Sequence, residues 1–356
     1  MIKSNELINK INRPPADKSS RELHYRFDRN ERTTLFSKDE FNDIISQISP
    51  YDLIAYGELE PFYVKIKNWL NVDRNQILLT SGSDMAIRTV FHTFIEKNDK
   101  VLITYPNYAM FSVYNKMYGG VELAQFYKND LNLDVDELLN KLNDDLKMLV
   151  ISNPGHTSKS VDAKALIKII EKAYKNNILV VIDEAYFHFH KISMIEYINQ
   201  YENLIVIRTF SKAIGLASLR IGLLISNRNL INELYKVKLV HEITGIAAKI
   251  GSYMIDNFHI VDNYVNNVNE GKKVLLSRLP EIGIRVYESD CNLFFFDMPK
   301  NTDYNDFMEF LKEKNVYIKG PFLNSPFSGQ MRVTIGDKNQ MNMFCDIIHN
   351  YVNLAK

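Results

Sequence analysis

Cysteine is nearly absent from this chain: Cys291 and Cys345 are the only two, far apart in sequence. They form neither a disulfide framework nor a metal-ligand signature, so a metal is not expected and a reduced, cytoplasmic compartment is. Net charge is also missing, with 43 Lys+Arg against 43 Asp+Glu. No basic block offers an arm for a polyanion, so nucleic acid is not an expected partner. No uncharged apolar run is long enough to cross a bilayer, and Met1-Ile2-Lys3-Ser4-Asn5-Glu6 lacks the apolar core of a signal peptide, so no membrane partner is expected either. Internal repeats and low-complexity linkers are absent too.

What remains is a 356-residue chain with 46% apolar residues, enough for two domains and a large core. Residues 1–35 are polar, include Arg13-Pro14-Pro15, and read as an N-terminal arm. From about residue 75, short apolar runs alternate with amphipathic stretches. Strands are expected at Gln76 to Thr80, Val101 to Tyr105, Leu123 to Phe126, Met148 to Ser152, Leu179 to Asp183, Leu204 to Ile207 and Ile221 to Ser226. Helical faces lie between them, one carrying Ile87, Val90, Phe91, Phe94 and Ile95, another Leu166, Ile169, Ile170, Ala173 and Tyr174. Apolar strands separated by helices predict an α/β fold with a mainly parallel, seven-stranded sheet covered on both faces, over residues 36–265. Beyond about 265 strand candidates become sparser: Ile284 to Tyr287, Leu293 to Met298, Val316 to Ile318 and Met331 to Ile335. They predict a small α+β C-terminal domain, 266–356, packed with the arm.

Chemistry concentrates where strands end. Leu204 to Ile207 leads into Arg208-Thr209-Phe210-Ser211-Lys212, and Arg220 follows eight residues later. The run ending at Ile182 is followed by Asp183-Glu184-Ala185-Tyr186. A lysine for a Schiff base, an acid for a pyridinium nitrogen and a cation for a phosphate are what pyridoxal 5'-phosphate needs. Ser81-Gly82-Ser83-Asp84 opens a helix whose first N–H groups can bind that phosphate. The same residues also have plainer readings. Lys212 fits a surface lysine after a strand, Asp183 a helix cap, and Ser81 with Asp84 a capping box.

Five such blocks in order, from Phe27-Asp28-Arg29-Asn30-Glu31 to Met331-Arg332-Val333-Thr334-Ile335-Gly336, resemble the fold-type I pyridoxal-phosphate aminotransferases. The likeness is strongest to histidinol-phosphate aminotransferases and related phospho-amino-acid decarboxylases. It implies catalytic roles for Lys212, Asp183 and Tyr186, the tyrosine donating to the cofactor ring O3′. It places Gly82, Ser83, Asp84, Ser211 and Arg220 around the phosphate end and Tyr108 on the ring. It puts Arg332 on a substrate carboxylate, with Asn30 on the substrate side as well. It also implies a homodimer in which Tyr56 reaches the partner's cofactor, and small-molecule amino donors and acceptors as partners. Packing as core aromatics is the alternative for both Tyr108 and Tyr56.

The chain departs from the family's pattern at three places. The family's Asn-Pro-Asn-Asn-Pro-Thr-Gly reads Asn153-Pro154-Gly155-His156-Thr157-Ser158-Lys159, which sets His156 where an asparagine faces the ring O3′. A surface-loop histidine is the alternative. Lys319 stands where relatives that bind a substrate phosphate often have arginine, keeping the charge but losing the fork. Pro15-Ala16-Asp17 replaces a substrate-facing tyrosine. The expected function is transamination of a small phosphorylated or dicarboxylic amino compound, with poor use of histidinol phosphate. Decarboxylation of a phosphorylated amino acid is the alternative, since the same residues serve both reactions.

Overall fold

A computed structural model describes residues 2, 4–9, 11, 22, 24–155, 159–300, 302–322 and 327–354. Seven strands build the main sheet: β2 (Ile77–Ser81), β3 (Lys100–Tyr105), β4 (Val121–Phe126), β5 (Leu146–Ser152), β6 (Leu179–Asp183), β7 (Leu204–Thr209) and β8 (Ile221–Ser226). Their order is β2-β8-β7-β6-β5-β3-β4, parallel except that β8 runs antiparallel to both neighbours.

The apolar runs have no polar alternation because both faces of the sheet are covered. Leu79, Leu102, Leu149 and Ile151 point into one core with the helices Glu60–Leu70, Ala163–Lys175 and Gly245–Asp256. Leu78, Val101, Ile103, Met148 and Val150 point into the other, under the helices Gly82–Phe94 and Met110–Tyr118. The edge strand β4 is the exception, and Val121, Leu123 and Phe126 stay exposed there.

A second sheet, β12-β10-β9, joins Gln330–Thr334, Leu293–Asp297 and Val286–Tyr287 in antiparallel order. The arm's β1 (Tyr25–Arg26) pairs in parallel with β11 (Val316–Tyr317), and Phe27 is buried in the core of this part of the molecule. The helix His259–Glu281 runs unbroken through residue 265. Its Val261 and Val265 pack in the first core, its Tyr264, Val268 and Leu275 in the small one. One rigid element therefore crosses the position where the sequence changes texture.

Candidate active site

Register brings the chemistry to one rim of the main sheet. Ser152 lies opposite Asp183, and Asp183 opposite Ile207. Thr209 lies opposite Gly222, which in turn faces Thr80. In open α/β sheets this rim, at the carboxyl ends of the parallel strands, is where ligands bind.

Asp183 is the last residue of β6 and is buried. It caps no helix; its Oδ1 accepts the Ala185 N–H at 3.0 Å. Burial pushes its carboxyl up to about 6, against the opposing pull of the Ala185 N–H and the Lys212 ammonium. A cationic ring nitrogen would oppose that rise by favouring the charged carboxylate. Lys212 is half-buried, and its Nζ donates to the Arg29 carbonyl at 3.1 Å. Burial first, and the Arg332 guanidinium second, lower its amine to about 8. A lysine held there has a larger neutral, nucleophilic fraction near neutral pH than an ordinary lysine, though the ammonium still predominates.

Tyr186 is buried, and its phenol accepts a 2.9 Å bond from Asn30 Nδ2. Asn30 adopts φ 56° and is fixed by its own N–H, which donates to Thr334 Oγ1 at 3.0 Å. Burial raises the Tyr186 phenol, so it stays protonated. Arg332 is buried on β12, with Nη2 on the Asp28 carbonyl at 2.9 Å.

At the phosphate end, Gly82 starts its helix at φ +75° with the Arg220 guanidinium against it. A Cβ there would lie 2.4 Å from Arg220 Nη2. Gly222 is as tightly placed, since its Cβ would meet the Gly82 carbonyl carbon at 2.3 Å. Ser211 is buried beside them, its Oγ accepting from Thr209 Oγ1 at 3.0 Å. Helix N–H groups, a hydroxyl and a guanidinium thus converge on a cradle cleared by glycine, which suits a phosphate. Ser83 sits on the first turn. The capping box does not form: Ser81 makes no side-chain cap bond, and Asp84 Oδ2 accepts from Tyr114 OH at 3.0 Å.

Tyr108 is 40% exposed, so it is not a core aromatic; its N–H donates to Asn107 Oδ1 at 2.7 Å. Tyr56 is not buried either. It is 78% exposed and stacks on His241 with ring centroids 4.0 Å apart. Lys319 is exposed, and its backbone exchanges hydrogen bonds of 3.0 and 2.7 Å with Arg332. His156 and Pro15-Ala16-Asp17 lie outside the described residues.

Three features escaped the sequence reading. Glu184 and Arg208 form a buried ion pair under the site. Opposite charges at the ends of apolar strands were the available signal, because a buried charge requires a partner. Thr334 holds Asn30. Cys291, fully buried, packs with Tyr186, and its Sγ donates to the Gly155 carbonyl at 3.0 Å. Nothing in the sequence marks that contact.

The fold is that of an α/β, fold-type I enzyme, and residues 42–348 match the family model for aminotransferase class I and II. The chain belongs to that family and is a pyridoxal-phosphate-dependent aminotransferase of the histidinol-phosphate aminotransferase-like kind. Similar relatives include the histidinol-phosphate aminotransferase of Clostridium novyi, 31% identical over 92% of this chain and 91% of that one. Another is that of Thermoanaerobacter sp. strain X514, 30% identical over 87% and 88%. A solved histidinol-phosphate aminotransferase from Sinorhizobium meliloti, in complex with pyridoxal-5'-phosphate, shares the fold with a TM-score of 0.87, at 18% identity and 99% coverage of both chains.

Proposed function

We propose that the chain transfers an amino group to or from a small phosphorylated or dicarboxylic amino compound, with Lys212 as the residue that carries the cofactor. The observation that supports the substrate class is the pairing of Lys319 with Arg332. Residues that exchange both N–H···O bonds in an antiparallel pair present their side chains on the same face. Two cations side by side suit a dianion, or an acid at each end of a short molecule.

Bound here, the cofactor supplies an aldehyde and an electron-accepting ring. The protein supplies the rest. Asp183 holds a proton at the ring nitrogen, and Tyr186, fixed by Asn30, donates at the ring oxygen. Gly82, Ser83, Asp84, Ser211 and Arg220 form the phosphate end, and Tyr108 covers a ring face. Lys212 moves the proton at the substrate α-carbon. Domains at 1–35, 36–265 and 266–356 and a cytoplasmic location belong to this reading. Among the described residues, no helix is long and apolar enough to cross a membrane.

A homodimer is part of it too. Tyr51, Leu53, Ile54 and Tyr56 are exposed, as are Leu239 and Val240. The two segments meet where Gly57 lies against Gly245. Such an apolar surface on one face suits a second copy, to which Tyr56 would be presented.

The deciding experiment is a half-reaction screen that follows the cofactor spectrum and carbon dioxide release together. Histidinol phosphate enters beside compact phosphorylated amino acids and aspartate. The relatives carry its name, while the expectation of poor turnover rests on Lys319 and on arm residues outside the described set. Borohydride should trap the cofactor on the Lys212 peptide alone. Trapping at another lysine, or turnover confined to neutral monocarboxylic donors, would overturn the reading. Release of carbon dioxide without amino transfer would establish the decarboxylase alternative.

A further inference from the structure

Three consecutive residues of the second, smaller sheet region hold two segments that border the site. Asp290 Oδ2 accepts the Ser160 N–H at 2.6 Å. Cys291 Sγ donates to the Gly155 carbonyl at 3.0 Å. Asn292 Nδ2 donates to the Asn30 carbonyl at 3.3 Å. The turn that carries them is itself stiffened, since Ser289 Oγ donates to the Leu293 carbonyl at 2.6 Å and accepts the Cys291 N–H at 3.3 Å.

The gripped segments lead straight to the reacting groups. Asn30 bonds the Tyr186 phenol. The Gly155 and Ser160 contacts lie within the loop that Asn153 closes. Its Oδ1 accepts the Val161 N–H at 2.8 Å, and its Nδ2 donates to the Val161 carbonyl at 3.2 Å. The Asn153 N–H donates to the Asp183 carbonyl at 2.8 Å, so this loop continues the strand end that carries the acid. Cys291 also packs against Tyr186, with Leu131, Leu293 and Phe295 around them. His190 Nδ1 stands 3.7 Å from Asp290 Oδ2, which adds a further contact from the segment just after Tyr186.

We propose that Asp290, Cys291 and Asn292 are positioning residues for the aminotransferase reaction. Through Gly155, Ser160 and Asn30, the placement of the C-terminal part sets the orientation of the groups that meet the cofactor's ring oxygen. The Cys291 thiol is fully buried and burial raises it, so it acts as a neutral S–H donor and not as a nucleophile. A residue that merely filled space could be replaced by any group of similar volume; a residue that positions through a hydrogen bond needs its donor or acceptor.

The test compares Asp290→Ala with Asp290→Asn and Cys291→Ala with Cys291→Ser. The asparagine and serine forms keep an acceptor for Ser160 and a donor for Gly155. In cofactor-free protein, hydrogen exchange at the Ser160 amide should quicken about tenfold or more in Asp290→Ala and stay near native in Asp290→Asn. In the holoenzyme, both alanine forms should shift the midpoint of the cofactor's spectral pH titration. They should also lower kcat about fivefold or more at nearly unchanged KM, and the asparagine and serine forms should restore both. Native exchange and native titration in the alanine forms would overturn the proposal. So would equal loss in the asparagine and serine forms, since those forms keep the hydrogen bonds on which the proposal rests. The exchange arm needs neither cofactor nor substrate, so its outcome is separate from the assignment of the substrate.

Discussion

The Arg208 guanidinium grips the Glu184 carboxylate through Nε at 2.9 Å and Nη2 at 2.8 Å, inside the protein. The Met194 N–H and Ser193 Oγ bond the same carboxylate at 2.7 and 2.9 Å, so its lone pairs are used. The pair ties the end of β6 to β7, which carry Asp183 and lead to Lys212. Burial opposes the charge on both partners, and each compensates the other. Glu184→Ala strands a buried guanidinium and should cost about 3–5 kcal/mol in urea unfolding. A loss under about 1 kcal/mol, as for an exposed pair, would show that the pair is not desolvated in solution.

Asp183 gives the cofactor-free protein a distinct pH dependence. Its carboxyl sits near 6 when folded, against 3.8 for an unperturbed aspartate. Between those values the native state binds more protons than the unfolded state, so stability falls as pH rises through that window. The loss is on the order of 3 kcal/mol and is complete above about pH 6. Asp183→Asn should flatten the profile of the cofactor-free protein, making it more stable than the parent at pH 7, while turnover of the holoenzyme drops by orders of magnitude. Parallel profiles for the two proteins, measured by denaturant unfolding from pH 4 to 7, would remove Asp183 as the source.

The main sheet was legible because its strands are apolar throughout, and burial on both faces permits that pattern only in short runs closed by turn residues. Strand ends also marked Asp183, Tyr186, Ser211 and Lys212, since polar groups there break the apolar text. Contacts between distant segments were not legible. Nothing local says that Cys291 meets Gly155, or that Lys319 faces Arg332, because register is set by the whole small sheet. The Ser81–Asp84 spacing suggested a capping box, yet the Tyr114 phenol, thirty residues on, takes Asp84 instead. Texture also changes near residue 265 while the backbone helix does not, since one helix serves two cores.

In the proposed phosphate end, Gly82 is the position where backbone and ligand requirements coincide. Alanine there would be strained at φ +75° and would push on the Arg220 guanidinium. Gly82→Ala should therefore weaken cofactor binding by about tenfold or more, through the loss of a charge-assisted phosphate contact, with the fold retained. Equilibrium dialysis of the variant beside Arg220→Lys measures this. If cofactor affinity holds in both, the phosphate end of the site lies elsewhere.

Lys319 gives the sharpest test of the proposed substrate end. Its ammonium shares a sheet face with Arg332, yet Lys319 is exposed and Arg332 buried, so the two differ in what they can reach. Burial lowers the Arg332 guanidinium, but arginine stays protonated at any working pH, so the face keeps its charge there. Lys319→Ala should raise KM for a phosphorylated or dicarboxylic substrate about tenfold or more while leaving cofactor affinity within about twofold. Lys319→Arg should restore binding and sharpen the preference for phosphate over carboxylate, because a fork fits a phosphate through two parallel bonds where an ammonium acts as a point charge. Steady-state kinetics over one phosphorylated and one dicarboxylic donor decide the matter. An unchanged KM for both in Lys319→Ala would mean that Arg332 alone meets the anion and that the second cation serves the surface.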